Sequence, residues 1–419
     1  MFEKLTSFKL DNLSAFSDTC SSVLKRIKFI DSNSFIILEN TFNVFIFYHI
    51  NLDGKVIKKW EFEADEDMLL DYIYIDGRLY LVFISEYAQY EESITFYCSN
   101  DKGFEWLSSM AKESYMHDMD FLHIFNKNNK IRFLIIRHNR LHLYTINEAN
   151  NDSSIIIDDE EVYKNLYHLS EIAVLEGSKW IISNGYAVNI KGKFWEIYNT
   201  DLELICSFEF TDDLIDWLEI SISDDGSVIA VATDCSEEEK GALAIYNKKT
   251  EQVYTHFQRY GFFSMSIAAG RVWATIASSF SDIGGLMIFD KEANLKYASL
   301  KDEEIDENLT SYNPLPIIYK ALSFESLPDN KLLVITDKNI FVTDISCRNI
   351  QDLPAEPYEC IDLLKDKSKL IMIAYNNRLY GGNPDKKYSV EVVIYKWSVE
   401  HTPASIVDLK SYRKNKYDI

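Results

Sequence analysis

Glycine is scarce, with 14 in 419 residues, so asparagine and aspartate must supply many of the tight turns. The six cysteines, Cys20, Cys98, Cys206, Cys235, Cys347 and Cys360, are widely scattered. No C-x-x-C occurs among them, so neither a zinc site nor a dithiol redox motif is signalled. No apolar run approaches the roughly 18 residues of a membrane span. The opening stretch, MFEKLTSFKLDNLSAF, puts charges where a secretion signal needs an apolar core, and the chain reads as cytoplasmic. Positive charge is also short: 43 Lys and Arg stand against 66 Asp and Glu, a formal net charge of −23. Such a chain repels phosphate backbones and anionic lipid, which excludes nucleic acid and membrane surfaces as partners. What remains is a basic protein partner, or acidity that serves solubility alone.

Apolar substance is plentiful. Hydrophobic residues make up 47% and aromatics 14%, ample for a core and incompatible with wholesale disorder. The 26 tyrosines and 25 phenylalanines favour strands over helices. Period-two apolar patterns run along the chain and are interrupted by short polar turns. They group into a recurring unit of four strands, here a, b, c and d. The clearest copies run from Trp217 to Gln258 and from Phe262 to Leu300. Strand c tends to end in an aromatic followed by a turn former, as in LAIYNKKTE, LMIFDKEAN and WEIYNTD. Strands a and b meet at tight polar turns, as in IDGRLYLV and DDGSVIAV.

Units beginning near Leu24, Met68, His117, His168, Trp217, Phe262, Tyr319 and Tyr358 give eight copies, or seven if the irregular stretch Asn165 to Phe210 is not one. A four-strand repeat of this length predicts an all-β fold: a single β-propeller of four-stranded antiparallel blades spanning residues 1–419. The repeats run from about 24 to 410, and residues 1–23 are left to help close the ring. The units resemble the WD-repeat family in architecture, although the Gly-His pair and the Trp-Asp dipeptide of that family are missing.

One local motif stands out. CSNDKGFEWL places Ser99, Asp101, Gly103 and Trp106 at the spacing S-x-D-x-G-x-x-W. This is similar to the Asp box of sialidases and other propellers, and the repeat register puts it at a c-to-d hairpin. As a turn device it would use Asp101 to bind backbone N–H groups, Gly103 for positive φ, and Trp106 to pack beneath. The resemblance does not extend to sialidase chemistry. That would need an arginine cluster, a Phe-Arg-Ile-Pro motif near the start and a Tyr/Glu pair, and the chain has ten arginines and no such motif.

Other chemical candidates are weak. In HDMDFLH, a strand would hold His117 and His123 about 20 Å apart at ~3.3 Å per residue, with Asp118 and Asp120 on the opposite face. His138 and His142, with Arg137 and Arg140, read as a solvated basic turn. Neither a G-x-S-x-G elbow nor a P-loop occurs, and no D-x-D-x-D-G calcium loop is present. No catalytic residue, cofactor or metal site is assigned.

The acid is patterned. In a propeller, d-to-a and b-to-c connections emerge on one face, and a-to-b and c-to-d turns on the other. Read as d-to-a connections are Asp65, Glu66 and Asp67; Asp158, Asp159, Glu160 and Glu161; Asp212 and Asp213; and Asp302, Glu303, Glu304, Asp306 and Glu307. Two b-to-c loops add Glu86, Tyr87, Tyr90, Glu91 and Glu92, and Glu237, Glu238 and Glu239. One face should therefore be strongly acidic and dotted with tyrosines, suited to a basic protein partner, although Arg137, Arg140 and the lysines near Lys191 fall on the same face. The expectation is a non-enzymatic interaction propeller, monomeric when free. Its sharpest form is an intracellular bacterial immunity protein (an antitoxin) that covers a basic toxin domain. The rivals are a scaffold subunit of a larger assembly and a sialidase-like hydrolase or glycan binder.

Overall fold

The computed structural model describes residues 2–14, 26–41, 44–64, 68–85, 93–111, 123–128, 130–137, 139–148, 167–211, 217–235, 240–258, 261–268, 270–277, 284–298, 321–336, 340–344, 350–353, 358–364, 366–374 and 387–398. They form eight four-stranded antiparallel sheets, each a propeller blade. The chain starts with β1 (Phe2–Ser14). Blade 1 then follows as β2 (Ile27–Asp31), β3 (Ser34–Thr41), β4 (Val44–Asn51) and β5 (Val56–Glu63). Blade 2 is β6 (Met68–Ile75), β7 (Arg78–Ser85), β8 (Ser93–Asn100) and β9 (Gly103–Ala111). Blade 3 is β10 (His123–Lys127), β11 (Lys130–Arg137), β12 (Arg140–Glu148) and β13 (Tyr167–Glu176).

Blade 4 is β14 (Lys179–Ser183), β15 (Tyr186–Lys191), β16 (Phe194–Tyr198) and β17 (Leu204–Glu209). Blade 5 is β18 (Trp217–Ile222), β19 (Val228–Cys235), β20 (Lys240–Asn247) and β21 (Gln252–Gln258). Blade 6 is β22 (Gly261–Ala268), β23 (Arg271–Ala277), β24 (Gly284–Phe289) and β25 (Leu295–Ala298). Blade 7 is β26 (Ala321–Leu327), β27 (Lys331–Thr336), β28 (Ile340–Asp344) and β29 (Ile350–Asp352). Blade 8 takes β30 (Tyr358–Leu363), β31 (Lys369–Ala374) and β32 (Lys387–Trp397), and β1 is its outermost strand. First and last segments thus share one sheet, and the ring is closed.

Burial follows from the stacking of sheets. Strand b is covered on both faces by neighbouring blades, so it reads as a continuous apolar run. Leu79 to Ile84 on β7 are all buried, as are Val228 to Val231 on β19. The outer strand meets solvent and alternates instead: on β5, buried Trp60 and Phe62 are interleaved with exposed Lys59, Glu61 and Glu63. Apolar clusters weld consecutive blades. Between blades 1 and 2, Phe47 meets Tyr72 edge-on at 5.3 Å and Phe45 meets Phe83 at 5.1 Å. Between blades 8 and 1, Ile27, Phe35 and Ile37 pack on Ile371, Val392 and Ile394.

Blades 2, 5, 6 and 8 open at Met68, Trp217, Gly261 and Tyr358, within one residue of the expected starts. The expected starts Leu24, His117 and Tyr319 lie outside the described residues, and strand a of blades 1, 3 and 7 is described from Ile27, His123 and Ala321. His168 was expected to open the fourth unit, but it lies on β13, the outer strand of blade 3, and blade 4 opens at Lys179. The cause is the 18-residue separation of β12 from β13, which breaks the tight c-to-d turn seen elsewhere. The apolar alternation of YHLSEIAVLE then passes for an inner strand.

Candidate functional site

Because neighbouring strands are antiparallel, every blade sends its a-to-b and c-to-d turns to one rim and its b-to-c and d-to-a connections to the other. The expected acidic residues lie outside the described residues, but the strands on either side fix where each segment is rooted. Residues 65–67 connect β5 to β6, 212–213 connect β17 to β18, and 302–307 connect β25 to β26, all d-to-a. Residues 86–92, with Tyr87 and Tyr90, connect β7 to β8, and 237–239 connect β19 to β20, both b-to-c. These five segments are rooted on one rim. Asp158, Asp159, Glu160 and Glu161 are not: they fall between β12 and β13, a c-to-d connection rooted on the opposite rim. This corrects the expectation, and it has the same origin as the shifted start of blade 4.

The opposite rim is a set of capped turns. Asn51, Asn199, Asn247 and Asp290 each end a strand c, and each side-chain Oδ1 accepts a backbone N–H two residues on, at 2.9–3.1 Å. In two of these turns Leu202 and Ala293 hold positive φ without glycine (61° and 56°), as the shortage of glycine requires. On the a-to-b turns, Asp225 accepts from Ser227 N–H and from the Ser223 and Ser227 hydroxyls, bonds that hold its carboxyl well below the usual range. Hydrogen bonds around the turn and to Lys296 likewise bring Asp290 down to about 2, against a partial burial that raises it.

The segment with the Asp-box spacing is one of these c-to-d hairpins, with Asp101 and Lys102 at its tip between β8 and β9. Gly103 has φ of 139°. The cap expected of Asp101 is made by Asn100, whose Oδ1 accepts the Lys102 N–H at 2.8 Å. A two-residue tip leaves the residue before it, not within it, in position to cap. Ser99 is buried and its Oγ accepts the Leu79 N–H at 2.8 Å, fixing strand b to strand c. Trp106 is half-buried on β9, and its neighbour Leu107 enters the core between blades 2 and 3.

Polar groups on the inner strands link blades. Lys28 pairs with Asp71 at 2.6 Å, and Asp362 accepts the Phe29 N–H at 2.8 Å. Lys367, on the blade 8 a-to-b turn, reaches Asp224 on the blade 5 turn at 2.8 Å and the Ser326 hydroxyl at 2.5 Å. Glu219 on β18 accepts from Asn184 Nδ2 at 2.9 Å. Burial raises its carboxyl to about 7, with Glu325 adding to the rise, against hydrogen bonds from Asn184 and the Met265 backbone. Sequence reading missed this residue, whose only signal is one acid in the apolar run WLEISI.

A folded-state value above the ~4.3 of a free glutamate means that stability falls as pH rises from there to about 7. Glu219→Gln keeps the acceptor for Asn184 and removes the ionisation. In urea unfolding, the variant is expected to match the native protein near pH 4.5 and exceed it by up to ~3 kcal/mol at pH 8. Equal curves at pH 8 would show that Glu219 ionises freely.

Two further candidates are described only in part. Arg140, exposed at the b-to-c turn of blade 3, pairs with exposed Glu176 at 2.7 Å, and His142 Nδ1 lies 2.5 Å from Glu171 on β13, while His138 lies outside the described residues. His123 opens β10, while residues 117–122 lie outside the described residues. Cys98 and Cys206 are buried and free, and burial pushes their thiols up to about 11 and about 12. The arginines whose partners are defined are engaged separately: Arg26 with Asn40, Arg132 with Asp201, and Arg140 with Glu176. Among the described residues no helix is long and apolar enough to cross a membrane.

An aromatic stack lies on the loop rim between blades 4 and 5. Trp195, fully buried on β16, donates its indole N–H to the Thr211 carbonyl at 2.8 Å. Phe210 meets Trp195 edge-on at 5.1 Å and Phe257 at 6.3 Å, and Phe257 is 59% exposed. Each of these residues sits at the loop-rim end of its strand or just beyond it.

No protein-family model matches the chain, and no curated protein matches it. Solved structures do. The WD40 domain of Neurospora crassa Pan2 is 11% identical, with 93% of this chain and 90% of that chain covered and a TM-score of 0.39. BBS1N, solved in complex with ARL6DN, is 7% identical over 95% of this chain and 97% of that one, with a TM-score of 0.44. Porphyromonas gingivalis dipeptidyl peptidase 4 is 9% identical over 83% of this chain and 56% of that one, with a TM-score of 0.39. The β-propeller architecture itself rests on the eight four-stranded antiparallel sheets of this chain.

Proposed function

We propose that this chain is a non-enzymatic interaction platform that binds a basic protein through its loop rim. The observation that supports this is connectivity: five acidic segments, 65–67, 86–92, 212–213, 237–239 and 302–307, are rooted on that one rim. On the opposite rim Asp225, Asp290 and Asp366 are engaged in capping turns, and one acidic segment, 158–161, is rooted there. With a net charge of −23, the loop rim attracts cationic surfaces and speeds their encounter. The sharper form is a bacterial immunity protein that covers the cleft of a basic toxin domain in its own cell. Exposed apolar side chains on outer strands, Ile57, Ile172 and Leu204, favour a second reading as a scaffold subunit that is gripped by its blade sides.

The test matches charge for charge. Glu237→Lys, Glu238→Lys and Glu239→Lys are combined in one variant; Asp53→Lys, Glu251→Lys and Glu292→Lys, all on c-to-d turns, make the control. Fluorescence anisotropy with a labelled arginine-glycine repeat peptide should show at least ~10-fold weaker binding and a shallower salt dependence for the first variant. The control should stay within about twofold. Equal losses in both would reduce the acid to bulk charge and overturn the rim. For the sharper form, the product of the adjacent gene should arrest growth only in cells that lack this chain.

A further inference from the structure

We propose that Asn184 is a site of covalent modification, where the side chain turns to aspartate or isoaspartate with loss of ammonia and unfastens the inner seam between blades 4 and 5. This goes beyond the loop-rim reading and does not depend on it. Asn184 is the only asparagine of the chain that precedes a glycine. The two residues form the whole tip of the β14–β15 hairpin, between Ser183 and Tyr186, and both hold positive φ, 49° and 78°. Asn184 is exposed, and the Gly185 N–H has no partner among the described residues. Without a side chain on Gly185, nothing screens that nitrogen from the neighbouring amide carbon.

The step needs only water. The Gly185 nitrogen gives its proton to solvent base and attacks Cγ of Asn184. A C–N bond forms, the Cγ–Nδ2 bond breaks, and ammonia leaves behind a five-membered imide. Water adds to one of the two imide carbonyls and reopens the ring. One opening gives aspartate; the other gives isoaspartate, with the main chain running through the side-chain carbonyl.

The fold slows this step and makes its outcome matter. Asn184 Nδ2 donates to Glu219 Oε1 at 2.9 Å and to the Ile220 carbonyl at 3.1 Å, so the amide is moored to β18 and must let go before it reacts. Beside it, Ser183 Oγ donates to the Leu218 carbonyl at 2.9 Å. β18 is the inner edge strand of blade 5, and these side chains supply donors that no further strand provides. A carboxylate at position 184 has no hydrogen to donate. It would face the Glu219 carboxyl and the Ile220 carbonyl with both bonds lost. Isoaspartate also lengthens the main chain by a methylene, within the tip that sets Ser183 opposite Tyr186.

The native chain is incubated in warm, mildly alkaline buffer beside a sample held unfolded in guanidinium, and the tryptic peptide 180–191 is followed by mass spectrometry. In the native sample Asn184 should convert before any other asparagine, yield isoaspartate detectable by enzymatic methylation, and do so roughly 10-fold more slowly than in the unfolded sample. No conversion at Asn184, or earlier conversion of another asparagine, would overturn the site; equal rates in the two samples would overturn the mooring. Asn184→Asp stands in for the product. It should lower the folding equilibrium constant at least ~10-fold on the native background and much less on the Glu219→Gln background, where the glutamine amide can donate to the new carboxylate. Equal losses on both backgrounds, or none on either, would overturn the seam.

Discussion

A chain lacking residues 1–14 is expected to fail to close and to be recovered as aggregate. β1 pairs with β32 along its whole length, from Phe2 opposite Trp397 to Ser14 opposite Lys387. Phe2 is 2% exposed and meets Trp397 edge-on at 5.0 Å, and its backbone N–H and carbonyl are both bonded to the Gln351 amide on blade 7. Phe8 stacks on Phe35 of blade 1 at 6.2 Å, and its ring sits where a side chain at Gly54 would have to go. One strand thus fastens blades 7, 8 and 1. Losing the buried Phe2 ring alone costs about 3–5 kcal/mol, and β32 would be left as a long unpaired edge open to other chains. The decisive control restores the strand elsewhere. β1 runs antiparallel to β32, so a permuted chain that joins residue 398 through a short turn to residues 2–14 makes an ordinary c-to-d hairpin. The permuted chain should fold and melt close to the native protein. A truncated chain with a native melting curve would show that the ring closes without β1.

The fold was legible because strands a to d repeat a burial pattern that sequence expresses directly. The central strand of a blade is covered on both faces, so LYLVFI and VIAV read as unbroken apolar runs, and in blades 1, 2, 4, 5 and 6 the Asn or Asp that closes strand c is the one that caps the turn. Legibility failed at blade 3, where residues 149–166 replace a tight turn and the outer strand β13 is apolar enough to pass for an inner one. That single slip moved Asp158–Glu161 to the wrong rim. Glu219 and Phe257 were illegible for a different reason. Whether an acid on an inner strand is desolvated, or a phenylalanine on an outer strand is covered, depends on the neighbouring blade, here 35 and 47 residues away in sequence. For Glu219 that neighbour is Asn184, and for Phe257 it is Phe210.

Trp195→Ala is expected to destabilise the chain by about 3–5 kcal/mol, through the cavity left by a fully buried indole. Trp195 lies in the cluster that welds blade 4 to blade 5, with Ile197, Phe208, Leu218 and Val231. Its replacement also removes the indole N–H that the Thr211 carbonyl accepts at 2.8 Å. Trp195→Phe separates the two effects. It refills most of the cavity but cannot donate, and should cost about 1 kcal/mol, the net worth of one buried hydrogen bond. If instead the alanine variant unfolds within about 1 kcal/mol of the native protein, the packing between blades 4 and 5 cannot be holding the stack in place.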